Sequence, residues 1–311
     1  MESSGLEGKE LEIFEVGPCE SAYQMGFLIG QRFSNLIRSR LARDLILQEQ
    51  LLPFAQTPQA QPLLKALTDN NKKNFPSCWD ELIGTAEGSG VPVLHIILIN
   101  FRKEIVPFLP KNKLISNADC PDDCSDVLIV SDSMAMVAHN EDANVALVGH
   151  TYLIKGMLSN ELSFIAYTYA GELPSCAFGF NSHGLAFTLN SVPPIEDEIV
   201  AGGIGCNFIS RDLLEASGID DAVTVQDDNS ISRQRRALVL PKTSKNEFLS
   251  LLGDMADTKY PIYMTGPILY TLCTAVIDLD EQTFSIIEGN PKKGEASHVF
   301  TMSSKEFKMP Q

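Results

Sequence analysis

The chain has 311 residues, of which 44% are hydrophobic and 21% charged, ordinary proportions for a globular protein that buries a full core. Its formal net charge of −16 argues against nucleic acid or an anionic membrane surface as partner, since either needs a basic face. No run approaches the ~20 apolar residues that cross a bilayer, and the opening M-E-S-S-G-L-E-G-K-E has no apolar stretch of a secretory signal, so the expected compartment is cytoplasmic.

In chain order, the first third reads as helical. Tyr23, Phe27, Ile29, Phe33, Ile37, Leu41 and Leu45 recur mostly at spacings of four, the stripe of an amphipathic helix, and Pro53 ends the segment. A looser helical stretch is expected over 62–68. Cys78 to Gly88 and Leu94 to Phe108 predict two more helices, separated by the turn cluster G-S-G-V-P. After Cys124 short apolar runs take over: Val127 to Val130, Met134 to His139, Tyr152 to Leu158, Leu162 to Tyr169, Cys176 to Phe180 and Leu185 to Leu189. S-D-S, L-S-N-E and N-S-H-G bound them, which predicts consecutive hairpins. Helical character returns at Phe208 to Ala216 and around Arg233 to Leu251, and Tyr270 to Asp278 with Thr283 to Ile287 predict a closing hairpin. This order implies an α+β or layered build.

The seven cysteines are odd in number and scattered, unlike the disulfide framework of a small secreted domain. Two of them sit in N-A-D-C-P-D-D-C-S-D (Asn117 to Asp126), which admits three readings. A structural zinc site needs four ligands; C-x3-C offers two, and the nearest imidazoles, His139 and His150, stand at no spacing that completes a usual pattern, so neither a metal nor another cofactor is expected. A disulfide is disfavoured in the cytosol. The third reading makes Cys124 a nucleophile: cut before it, the chain would give Cys124 a free α-amine of pKa about 7.7–8.0, able to take the thiol proton.

The chain resembles the acyl-coenzyme A:6-aminopenicillanic acid acyltransferase family, cysteine N-terminal-nucleophile hydrolases that cleave themselves. The resemblance runs through G-P-C-E-S-A-Y-Q-M-G-F-L-I-G (Gly17 to Gly30), N-F-R-K-E (Asn100 to Glu104), D-C-S-D (Asp123 to Asp126), H-N-E-D (His139 to Asp142), G-F-N-S-H-G-L-A-F-T-L-N (Gly179 to Asn190) and S-R-Q-R-R-A (Ser232 to Ala237). It implies a four-layer αββα sandwich and a cut at Asp123–Cys124. A mainly helical fragment 1–123 and a β-rich fragment 124–311 would together form one domain. Cys124 would be the nucleophile, Asp142 would orient the α-amine, and Asn190 would line the oxyanion hole. Arg233 (or its neighbour Arg236) would hold a carboxylate or buttress the site, and Tyr169 and Glu172 would line the substrate pocket. His183 reads as a turn residue. The implied activity is hydrolysis or transfer of an acyl group on a small N-acyl amine or acyl thioester, and the other expected partner is the chain's own cleaved fragment.

The chain departs from the family at two places. Asp123 stands where the family has Gly before the cut, and glycine accommodates a strained scissile peptide more readily. Residues 218–231 are short where the family carries further strands and an H-x-N-H-like element. The short segment predicts an incomplete sandwich, and with it the alternative of a catalytically impaired relative that acts by binding.

Overall fold

A computed structural model of the protein describes residues 11–110, 124–131, 134–190, 199–218, 240, 244–256, 261–266, 269–293 and 295–302. The cut-site residue Asp123, the arginines Arg233 and Arg236 and nearly all of the short 218–231 segment lie outside the described residues, and so does the expected gap in the sandwich.

The chain opens with strand β1 (Ile13–Cys19), then helices α1 (Ala22–Arg32), α2 (Ser34–Arg43), α3 (Leu52–Ala55), α4 (Ala60–Asn74), α5 (Pro76–Ser89), α6 (Val93–Asn100) and α7 (Arg102–Ile105). The long stripe read as one helix is divided at Phe33. This residue ends α1 and stacks on Tyr152, ring centroids 3.6 Å apart, so packing onto the sheet overrides the helical period. Ser21 caps α1, its hydroxyl accepting from the Gln24 amide at 3.2 Å.

Strands follow: β2 (Ser125–Ser131), β3 (Met134–Asn144), β4 (Thr151–Leu158), β5 (Ser163–Tyr169), β6 (Phe178–Asn181) and β7 (Ala186–Thr188). Helices α8 (Cys206–Leu213) and α9 (Lys245–Leu252) precede β8 (Leu269–Asp278), β9 (Thr283–Glu288) and β10 (His298–Thr301). Among the described residues two five-stranded sheets result, one in the order β1-β4-β5-β6-β7 and the other β10-β9-β8-β3-β2. All pairings are antiparallel except β1 with β4, which is parallel.

Side-chain alternation along the strands sorts the core into three interfaces. Leu153, Ile165, Tyr167 and Phe178 of the first sheet meet Ala275, Ile277, Phe284 and Ile286 of the second. The opposite face of the first sheet, with Tyr152, Ile154 and Phe164, packs under Ile29, Ile37, Leu82 and Phe208 of the helices. The outer face of the second sheet, with Met136, Ala138 and Val276, is covered by Phe248, Leu251 and Leu252 of α9. The architecture is an α+β sandwich of four layers, helix, sheet, sheet and helix. None of the described helices is long and apolar enough to cross a membrane.

Helices α1 and α5 lie backbone against backbone. A Cβ on Gly26 would come within 2.0 Å of the Glu81 carbonyl oxygen, and one on Gly30 within 2.4 Å of that of Thr85. From the other side, a Cβ on Gly84 would meet the Tyr23 oxygen at 2.2 Å, and one on Gly88 the Phe27 oxygen at 2.0 Å. The contacts are backbone, which cannot swing aside, so any side chain there forces the helices apart. Gly84→Ala is expected to lose about 1–3 kcal/mol of stability, read as an earlier urea midpoint. Lys65→Ala, on the exposed face of α4, should stay within about 0.5 kcal/mol of the parent.

Candidate active site

The site is built on β3, a strand bonded on both edges. Its β2 partner runs Ser125↔Asn140 and Asp126↔His139, and its β8 partner Glu141↔Cys273 and Asp142↔Thr271, with a register shift between Glu141 and Asp142. His139 and Glu141, two residues apart, share the face turned to the first sheet. His139 meets the Phe178 ring edge-on, and Glu141 Oε1 accepts a short hydrogen bond from the Tyr169 hydroxyl of β5. Asn140 points the other way. Its carboxamide donates to the Leu252 and Ile262 carbonyl oxygens at 2.9 and 3.1 Å and accepts from Thr274 Oγ1 at 2.6 Å.

Cys124 immediately precedes β2, and its half-buried thiol reaches the inward face of β3. Sγ lies 3.5 Å from Glu141 Oε2 and 3.7 Å from the Asp142 carbonyl oxygen. His139, fully buried, stands between two carboxylates, with Nδ1 2.8 Å from Asp126 Oδ1 and Nε2 2.8 Å from Glu141 Oε2. Burial alone would lower its pKa, but Asp126 above all, with hydrogen bonds to Asp126, Cys124 and Glu141, holds it well above the usual imidazole value. Burial pushes the Cys124 thiol pKa up, and the Glu141 carboxylate adds to the rise. At neutral pH the arrangement therefore holds a thiol beside an imidazolium.

The structure brings together several residues that the sequence singles out. The Asp142 side chain accepts a short hydrogen bond from Thr271 Oγ1, while its backbone oxygen faces the Cys124 sulfur. Asn190, just past β7, donates from Nδ2 to Asp126 Oδ2 at 2.6 Å, so Asp126 links Asn190 to His139. Tyr169 touches Glu141. Glu172 stands apart from Cys124, ion-paired to the buried Arg40 and accepting from Asn207 Nδ2 at 2.9 Å. Arg40 lies over the Tyr169 ring, 5.8 Å from its centroid. His183 sits in the turn between β6 and β7, where its amide donates to Asn181 Oδ1 at 3.1 Å.

Sequence reasoning did not assign roles to Asp126, Glu141, Arg40 or Thr271. It weighed His139 only as a possible zinc ligand. A usable signal was present in H-N-E-D, since residues two apart on a strand share a face. The opposition of Asp126 to His139 depends on strand register and leaves no local trace.

The polar residues of N-F-R-K-E anchor α6 and α7 to distant chain. Asn100 donates to the Gly171 oxygen at 3.0 Å and accepts from the Leu173 amide at 2.9 Å. Arg102 pairs with Asp44, and Glu104 accepts from the Cys206 amide at 2.7 Å.

Residues 130–240 match the family described as acyl-coenzyme A:6-aminopenicillanic acid acyl-transferase. The match covers little more than a third of the chain. The matched segment holds Asp142, Tyr169, Glu172 and Asn190, together with His139 and Glu141, and begins after Cys124. The beta-alanyl-dopamine/carcinine hydrolase of Drosophila melanogaster is 28% identical over 219 residues, covering 67% of this chain and 56% of that relative. The chain thus spans little more than half the length of the hydrolase it matches.

In the uncut chain, alkylation of Cys124 by iodoacetamide is expected to be slow at neutral pH and to keep accelerating above pH 9, because burial and Glu141 disfavour the thiolate. Glu141→Gln removes the adjacent negative charge and should move the whole profile to lower pH. A wild-type rate that levels off near pH 7 would contradict the assignment.

Proposed function

We propose that the chain is a self-processing amidohydrolase or acyltransferase whose nucleophile is Cys124 and whose substrate is a small N-acyl amine, with β-alanyl amines as the first class. The carrying observation is the meeting of the Cys124 sulfur with the Glu141 carboxylate and the Asp142 carbonyl, at 3.5 and 3.7 Å, where β2 begins. The family match and the hydrolase relative support the choice of acyl chemistry.

In the proposed sequence, the Cys124 sulfur adds to the Asp123 carbonyl carbon and the amide C–N bond breaks as its nitrogen takes a proton. Water then hydrolyses the thioester, leaving the Asp123 carboxylate and a Cys124 that carries both thiol and α-amine. That amine accepts the thiol proton. The sulfur attacks the substrate carbonyl, the amine product leaves protonated, and water or a second amine takes the acyl group from sulfur. Asp142 orients the α-amine, Asn190 supplies a donor to the developing oxyanion, Arg233 buttresses the site, and Tyr169 and Glu172 wall the pocket.

Fragments 1–123 and 124–311 remain one body in this reading. Support comes from contacts that join them. Arg211 and Glu81 form a fully buried ion pair at 2.9 Å, Arg40 donates to the Ala170 oxygen at 2.8 Å, and Asn71 bonds to Gly203 and Gly205 at 3.0 and 2.9 Å.

Two observations favour the second reading, an impaired relative that binds without turnover. The Asn190 carboxamide is engaged by Asp126, and the thiol is held protonated beside Glu141. Intact mass under denaturing conditions separates the two readings. Self-processing predicts two chains, the second beginning Cys-Ser-Asp, and a single uncut chain for Cys124→Ala. If wild type also stays single, the self-cleaving enzyme is ruled out. For the processed protein, Asn190→Ala should slow amine release from a β-alanyl amine by about 10²–10³-fold.

A further inference from the structure

We infer that Cys124, His139 and Glu141 form a binding site for a borderline-soft divalent cation, Zn2+ first, which occupies the Cys124 sulfur and silences it as a nucleophile. The inference stands on the donor set and its surroundings, independently of whether the chain cuts itself.

The donors are Sγ, Nε2 and Oε2, and they lie within 4.8 Å of one another. Two of the separations are 3.5 Å for Sγ to Oε2 and 2.8 Å for Nε2 to Oε2. Zinc bonds of about 2.0 Å to nitrogen and oxygen and about 2.3 Å to sulfur put tetrahedral ligands on the order of 3–4 Å apart. The Sγ–Oε2 separation already falls in that range, and Nε2 and Oε2 would part by about half an ångström to share a cation. One thiolate, one imidazole and one carboxylate make a mixed set that suits zinc better than a hard cation, which prefers oxygen alone.

The groups behind the donors point the same way. Histidine ligands commonly hold their second ring nitrogen on a carboxylate, which fixes the tautomer and aims the free lone pair. Here Asp126 receives His139 Nδ1 at 2.8 Å and is itself held by Asn190 at 2.6 Å. Glu141 keeps its other oxygen on the Tyr169 hydroxyl, leaving Oε2 for the cation. These contacts are independent of the three donor atoms and already orient two of them.

Charge balance allows the exchange, since the formal charge of the site is the same before and after. His139 and Glu141 are buried, 0% and 2% exposed, where an uncompensated charge is costly. On binding, the thiol proton and the proton shared by Nε2 and Glu141 leave to solvent. Thiolate, neutral imidazole, carboxylate and Zn2+ then sum to zero. Cys124 is the most exposed of the three, so the cation would approach from its side, and a water would complete three protein ligands.

The test uses the full-length chain freed of metal by a chelator. Titration with Zn2+ should show one site per chain, and Co2+ in its place should give a thiolate-to-metal charge-transfer band. Both should be lost in Cys124→Ala and His139→Gln. Asp126→Asn, which keeps all three donors, should bind about 10–100-fold more weakly, and Cys206→Ser should match wild type. Because substitutions at buried His139 can unfold the chain, zinc X-ray absorption on unaltered protein supplies a second measurement, expected to show one sulfur among nitrogen and oxygen donors. Absence of a site, a shell without sulfur or with several sulfurs, or wild-type binding in Cys124→Ala would overturn the inference. The cleavage assay plays no part in these readouts, so failure here leaves the proposed reaction standing, and the reverse also holds.

Discussion

The geometry at Cys124 depends on one constraint, the pairing of β3 along both its edges. A strand bonded to β2 and β8 cannot slide, and strand alternation then assigns each side chain to a face. His139 and Glu141 fall between the sheets, while Asn140 is bonded to the chain around α9. A slip of one residue would exchange the two sets, placing a carboxamide beside the thiol and burying His139 and Glu141 against the apolar side chains of α9. The register shift after Glu141 matters as well. It brings Asp142 opposite Thr271, whose hydroxyl holds the carboxylate, while the backbone oxygen of Asp142 stays toward Cys124.

The helical layer meets a different requirement, the neutralisation of buried charge. Arg40, Glu81 and Arg211 are at most 2% exposed, and a buried ion left single costs several kcal/mol. Each has its counterpart on another element: Arg40 on Glu172, and Glu81 on Arg211. Arg40 and Glu81 precede residue 123, and their counterparts follow residue 124. Electrostatic satisfaction of the core therefore crosses the position of the proposed cut, and breaking one peptide bond would release neither pair. The close approach of α1 and α5 serves the same layer, since Glu81 lies on α5 where Gly26 of α1 touches it.

Much of this was legible in the chain. The helical first third, the run of hairpins after Cys124 and the closing β8–β9 pair follow from local periodicity and turn residues, as expected where a single stripe decides the element. Strand β1 was missed because I-F-E-V-G-P-C becomes a strand only by lying parallel to β4, more than a hundred residues away. Strand β10 is likewise defined by its partner β9. The stripe over Tyr23 to Leu45 predicted one helix, and the Phe33–Tyr152 stack divided it. At the site, the resemblance directed attention to Cys124, Asp142 and Asn190. Asp126 and Glu141 matter through contacts that only register and sheet-on-sheet packing create.

These contacts place opposite demands on the thiol. Burial and Glu141 favour the protonated sulfur, and the His139 imidazolium favours the thiolate; burial and the carboxylate prevail. An uncut Cys124 has no α-amine to tip the balance, so its resting sulfur is held as the thiol. What would change it is an added positive charge on the Cys124 side, where Glu141 already offers a counter-ion. The ammonium of a freed N-terminus and a bound divalent cation both supply such a charge, but with opposite consequences. The ammonium leaves the sulfur's lone pairs open to a carbonyl carbon, whereas the metal consumes one of them in a bond. The carboxylate that keeps the resting thiol protonated is thus the one that would hold the metal, whereas Asp142 would hold the freed ammonium. The two cations meet at the sulfur, and which of them is present would set how much of it is available for chemistry.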